Sequence, residues 1–179
     1  MPITIASKVS PEDYRTSGRY YSTTTKGDLT VANVANRLWG LALLVTKSGQ
    51  YDAMSFNVNI AVAGAARLGI YINTGEGYPG ALVLDAGTAN TGTGGDKIIT
   101  FSQNLGPGLY WLAMLADNTF TWQGSWSQNS FVRLGSTGAV AYVSGAVSVA
   151  QAYGVLPSTF PAGGTYEEGS IPHLSIRKA

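Results

Sequence analysis

Large apolar side chains fall at every second position over much of this chain. In Met54-Ser55-Phe56-Asn57-Val58-Asn59-Ile60-Ala61-Val62 they alternate with small or polar ones over nine positions. A period of two predicts a strand with one face buried and the other turned to water or a partner. Residues 67–72 repeat the alternation, and residues 81–84 and 98–101 are shorter runs of the same kind. Leu109-Tyr110-Trp111-Leu112-Ala113-Met114-Leu115 is apolar throughout, which predicts a central strand buried between two layers. Residues 119–122, 139–143 and 173–176 complete the set. Turn-forming clusters separate these runs at 73–80, 90–96 and 104–108, each rich in Gly and Asn or Pro. Residues 29–44 carry some apolar positions at helical spacing, but 38–45 fit a strand equally well and are read as one. Short strands cut by Gly-rich turns predict an all-β fold, an antiparallel β-sandwich or jelly roll.

Composition supports that reading and removes others. Gly accounts for 23 of 179 residues, nearly twice the usual share of about 7%, as many tight turns require. Only 12% of residues are charged, against about 25% in ordinary domains. A weakly charged surface promotes association. With a net charge of +1 there is no broad field to steer nucleic acid or anionic lipid. No apolar run approaches the ~20 residues of a membrane span. The start, Met1-Pro2-Ile3-Thr4-Ile5, lacks the basic and apolar regions of a signal peptide, so synthesis in a reducing cytoplasm is expected. The absence of Cys excludes disulfides and thiolate metal sites.

Residues 1–27 differ from the rest. They are polar, rich in Ser, Thr, Arg and Tyr, and hold four basic residues: Lys8, Arg15, Arg19 and Lys26. They are expected to form an extended N-terminal arm before a single β-sandwich domain at 28–179. As an arm they would dock on a neighbouring subunit through Arg and Tyr anchors; otherwise they are a surface lead-in.

Catalytic constellations are sparse. A Ser-His-Asp or Cys-His set needs a base beside its nucleophile, and the chain has one His, His173. Glu167 and Glu168 are adjacent, so on a strand they would point to opposite faces and make a poor acid/base couple. Asp85 and Asp96 flank a loop. The Gly94-Gly95-Asp96-Lys97 stretch lacks phosphate-loop spacing. No enzyme, cofactor or metal is expected. Aromatic residues offer more. Trp122 and Trp126 stand four apart among Gln123, Gln128 and hydroxyl residues. On a loop they would stack on sugar rings; otherwise Trp122 packs inward and Trp126 lies at a subunit interface. Tyr142, Tyr153 and Tyr166 are ambiguous in the same way.

One block carries a resemblance. Arg67-Leu68-Gly69-Ile70-Tyr71, Gly77-Tyr78-Pro79-Gly80-Ala81-Leu82-Val83-Leu84-Asp85-Ala86-Gly87 and Leu105-Gly106-Pro107-Gly108-Leu109-Tyr110-Trp111-Leu112-Ala113, with the strand before them, resemble a recurrent β-sandwich domain of tailed-bacteriophage virion proteins. That domain occurs in head-decoration, tail and fibre proteins. The resemblance implies a jelly-roll-like fold and a place in the virion, and it brings no catalytic residues. The expectation is therefore a capsid decoration or cement protein, made in the host cytoplasm and carried on the head surface. It would bind the major capsid protein and itself as a homotrimer, with Arg15, Arg19, Tyr20, Tyr21, Trp39 and Trp126 as contacts. The alternative is a tail-fibre or tail-tip module that recognises host polysaccharide through Trp122, Gln123, Trp126 and Gln128. Neither nucleic acid nor a membrane is expected as a partner.

Overall fold

The computed structural model describes residues 15–25, 27–132, 134 and 145–179. The strands are β1 (Tyr20–Ser22), β2 (Leu29–Ala32), β3 (Arg37–Val45), β4 (Gly49–Ile60), β5 (Ala65–Asn73), β6 (Pro79–Asn90), β7 (Gly95–Leu105), β8 (Gly108–Ala116), β9 (Thr121–Trp126), β10 (Ala146–Ala150), β11 (Thr165–Tyr166), β12 (Ser170–Pro172) and β13 (Ser175–Lys178). They form two antiparallel sheets packed face to face, as the alternation predicts. The strand expected at 139–143 lies outside the described residues.

Eight strands define the topology. One sheet contains the order β2-β9-β4-β7 and the other the order β3-β8-β5-β6, with every pairing antiparallel. Along these eight strands, β2 to β9, the chain changes sheet after β2, β3, β4, β6, β7 and β8. Two nested Greek keys of this kind make a jelly roll. The remaining strands decorate it. β10 and β11 extend the second sheet beyond β3. In the first sheet, β4 and β9 meet only at Val58↔Trp122 and Ile60↔Thr121. The C-terminal segment enters the wedge between them, with β12 on β9 and β13 on β4.

The N-terminal segment differs from the expected arm. Tyr20–Ser22 join the first sheet, where β1 pairs with β13, and the residues on either side are tied to the same sandwich. The Gly18 N–H donates to Lys178 O at 2.8 Å, the Thr23 N–H to Leu174 O at 3.0 Å and the Thr25 N–H to Asn129 O at 2.9 Å. The polar Tyr20-Tyr21-Ser22 run makes a good edge strand, and by pairing it covers backbone groups that β13 would otherwise leave open. Residues 1–14 of the arm lie outside the described residues.

Between the sheets, Leu41, Leu43, Met54, Phe56, Val58, Leu68, Ile70, Leu112, Met114 and Ile176 make the main core. A second apolar cluster lies on the outer side of the second sheet. It joins Leu38, Ala42, Tyr71, Trp111, Ala113 and Leu115 to Val147, Leu156 and Phe160 from the C-terminal third. Thus β8 is buried on both faces, with Tyr110, Leu112 and Met114 turned inward and Trp111, Ala113 and Leu115 turned to the second cluster. The covering strap, residues 151–164, fits because the sheet is thin beneath it. Gly40, Ala113 and Gly69 stand in register across β3, β8 and β5. A Cβ at Gly40 would lie 3.4 Å from the Phe160 ring, and one at Gly69 would overlap Leu156. The strap is tied by the Tyr71 hydroxyl, which donates to Pro157 O at 2.9 Å, and by the Tyr78 hydroxyl, which donates to Pro161 O at 2.6 Å.

Candidate functional site

Of the expected contact residues, three converge. Arg15, Tyr20 and Tyr21 line a groove of about 440 Å³ together with Leu44, Phe131 and Val132. It lies on the flank of the sandwich, where β3 runs on past Leu41, the last residue of its register with β10. Arg15 is held there by donating to the Tyr51 hydroxyl at 3.1 Å and to Leu44 O at 2.9 Å, and its guanidinium lies 5.2 Å from the Tyr21 ring centroid. Burial raises the Tyr21 pKa, but hydrogen bonds with Thr16 and the nearby Arg19 and Arg15 outweigh it and hold the phenol below its usual value. Leu44 is 40% exposed and Phe131 58% exposed, so the groove has an apolar rim. Arg19 is exposed and is not among the residues lining the groove.

Trp39 and Trp122 are placed elsewhere. Both are buried, packed edge to face with centroids 5.6 Å apart, and Trp122 meets Phe120 at 5.9 Å. Neither indole reaches the surface, so Trp39 is not a subunit contact and Trp122 cannot stack on a sugar. The alternation along β9 explains this, because Phe120, Trp122 and Gly124 turn inward while Thr121 and Gln123 turn outward. Trp126 is 47% exposed, but it ends β9 and does not sit on a loop. Gln128 lies in the 3₁₀ turn that follows and is exposed. Gln123 is half-buried and donates through Nε2 to Gly27 O. The two tryptophans therefore do not form one surface, and of the two alternatives for Trp122 the structure has the inward-packed one. Of the three ambiguous tyrosines, Tyr153 and Tyr166 pack against the strap cluster, and Tyr142 lies outside the described residues.

A second hollow, about 240 Å³, opens on the outer face of the first sheet, where β1, β13, β4 and β7 lie side by side. Ser55 of β4 stands between Ser175 of β13 and Ile98 of β7, and Asn57 stands opposite Asp96. The Asn57 amide donates to Asp96 Oδ1 at 2.6 Å. Tyr20 forms a wall shared with the flank groove.

His173 closes one end of this hollow. It sits at the bend between β12 and β13, not at the start of a strand. Thr24 Oγ1 lies 2.7 Å from its Nδ1 and Ser22 Oγ 3.2 Å from its Nε2. Burial lowers its pKa, so the ring is neutral near pH 7, with one nitrogen donating and the other accepting. The imidazole thus ties the N-terminal segment to the C-terminal one.

The acids are also engaged structurally. Asp85 forms a two-oxygen ion pair with Arg67 Nε at 2.8 Å, and Arg37 lies 3.8 Å from Glu167. Sequence reasoning missed the sheet-face hollow, although the signal was present: Ser55, Asn57 and Asn59 are the polar half of the clearest alternation in the chain. Comparison with protein-family models, with curated proteins and with solved structures returns no match.

Proposed function

We propose that this chain is a structural component of a tailed-bacteriophage particle, acting by binding and not by catalysis, and that it decorates the head by bridging capsid subunits as a homotrimer. The observation that carries the proposal is the flank groove, in which Arg15, Tyr20 and Tyr21 converge beside exposed Leu44 and Phe131. Arg and aromatic side chains around an apolar centre are the composition of a subunit interface. The fold is in keeping with it. The segments that resemble phage virion domains fall on β5, β6 and β8 of the jelly roll, an architecture common among viral capsid proteins. The occupant of the groove is then a second copy of the chain, met along the flank beside β1. A low overall charge leaves little repulsion between copies.

Immunogold labelling of the phage particles tests the placement. Label over heads is the expected result, label confined to tails favours the receptor-binding alternative, and particles without label overturn both. Light scattering on the purified chain should give three times the monomer mass. Phe131→Asp, which puts a charge at the apolar rim, should shift it to the monomer. A wild-type monomer at every concentration would overturn self-association through this groove.

A further inference from the structure

The hollow on the outer face of the first sheet has no part in the assembly reading, apart from its shared Tyr20 wall. Its polar groups are only partly used within the chain. Among the described residues the Ser55 and Ser175 hydroxyls make no side-chain hydrogen bond, and neither do Asn57 Oδ1, Asp96 Oδ2 or Gln123 Oε1. These groups converge because β4, β7, β9 and β13 each present an outward residue there. The apolar side of the hollow is supplied by Ile98, 53% exposed, and by the Tyr20 ring.

We propose that this hollow binds one ring of a neutral glycan. The chemistry of the lining selects the class. Two hydroxyls can each donate and accept, while a carboxylate oxygen and two amide carbonyls accept; together they match the hydroxyls of a sugar. Ile98 and Tyr20 match the apolar C–H face of the ring. Among the described lining residues there is no Lys or Arg, and Arg177, whose guanidinium lies 5.6 Å from the Tyr20 ring centroid, is already paired with Asp52, so a phosphate or carboxylate ligand would meet Asp96 without an uncommitted cation. A single carboxylate is also too few for a divalent cation, which takes six or more oxygen ligands. At about 240 Å³ the hollow lies below the usual ~300 Å³ of drug-sized ligand sites, which suits one ring with the rest of the chain lying along the face. The outward residues Gln50, Thr100 and Ser102 continue the polar surface beyond it.

The test is ligand-observed NMR on the full chain with neutral hexose and N-acetylhexosamine trisaccharides, using sialylated and phosphorylated sugars as acidic controls. Saturable binding of a neutral trisaccharide is expected, with acidic sugars weaker. Asp96→Ala should weaken it about tenfold or more by removing a charge-assisted hydrogen bond, and Ser55→Leu, which fills the hollow, should abolish it. Trp126→Ala should leave it unchanged. Asp96→Asn keeps a side chain of the same size and serves if the alanine variant does not fold. The proposal is overturned by absence of saturable binding of every neutral sugar up to about 10 mM, by preference for acidic sugars, or by binding that neither Asp96 variant nor Ser55→Leu alters. Because no variant touches Arg15 or Phe131, loss of sugar binding and loss of self-association are separable.

Discussion

On the outer side of β8, Trp111, Ala113 and Leu115 lie buried under a strap from the C-terminal third; on the outer side of β4, Ser55, Asn57 and Asn59 are half-buried or exposed. Both strands are central to their sheets, and both turn buried side chains to the core: Tyr110, Leu112 and Met114 from β8, Met54, Phe56 and Val58 from β4. The difference is set by what crosses them. Over β8, the row Gly40–Ala113–Gly69 leaves a trough that Leu156 and Phe160 enter. Over β4, the outward residues are Ser and Asn, which lose little by meeting water and gain nothing by being covered with apolar groups. One face of this sandwich is therefore covered by the chain itself, and the other is left open to water.

The largest effect should come from the covered face. Trp111 is fully buried and its Nε1–H donates to Asn73 Oδ1 at 3.2 Å. Trp111→Ala is expected to destabilise by about 3–5 kcal/mol, measured by urea denaturation. A cost under about 0.5 kcal/mol, typical of surface positions, would mean that the strap does not cover this face in solution. Gly69→Ala probes the trough more gently. Its Cβ would come 2.6 Å from Leu84 O, a backbone atom, and closer still to Leu156 Cδ1. A loss of about 1–3 kcal/mol is expected from overpacking. The double variant Gly69→Ala with Leu156→Ala should cost less than the sum of the two single ones, because both act on one contact.

How far these faces could be read in advance follows from the same contrast. The unbroken apolar run at 109–115 correctly implied a strand buried on both sides, since each face must then supply its own apolar residues. The alternation at 54–62 correctly implied a one-sided strand, although β4 begins five residues earlier, at Gly49. The fate of Trp39 and Trp122 was less visible. Their positions fix the faces only once the register is known, and a shift by one residue reverses inside and outside. Tyr20-Tyr21-Ser22 read as part of an arm because a three-residue edge strand has too short a period to detect. The sheet-face hollow draws on β1, β4, β7, β9 and β13; the alternation from Met54 marks its β4 wall, but nothing local marks the four distant segments that meet it there.

A smaller effect is expected at the edge of the open face, where His173 joins Ser22 and Thr24. Loss of these half-buried hydrogen bonds in His173→Ala should cost about 1–2 kcal/mol at pH 7. The pH dependence is the sharper readout. Burial lowers the folded pKa below the ordinary value of 6.5, so below that value the unfolded chain takes up a proton that the native ring resists. Stability then rises with pH across this window and falls on acidification from pH 7. His173→Gln should flatten the change in denaturation midpoint between pH 7 and pH 5. An unchanged slope would show that His173 is as open to water as the residues around it.

The least effect should come from the open face itself. Thr100 is exposed on β7 opposite Ala53, and Val suits a strand as well as Thr does. Thr100→Val is therefore expected to change stability by no more than about 0.5 kcal/mol, with a difference from the wild-type chain that does not depend on protein concentration. A larger change that grew with concentration would mean that a second copy covers this face, since association adds to apparent stability by mass action. The contrast between the two faces would then be one of timing: one covered by the chain itself during folding, the other by a neighbour during assembly. A small, concentration-independent change leaves the face open in the folded protein, which is the condition a sugar-binding surface must meet.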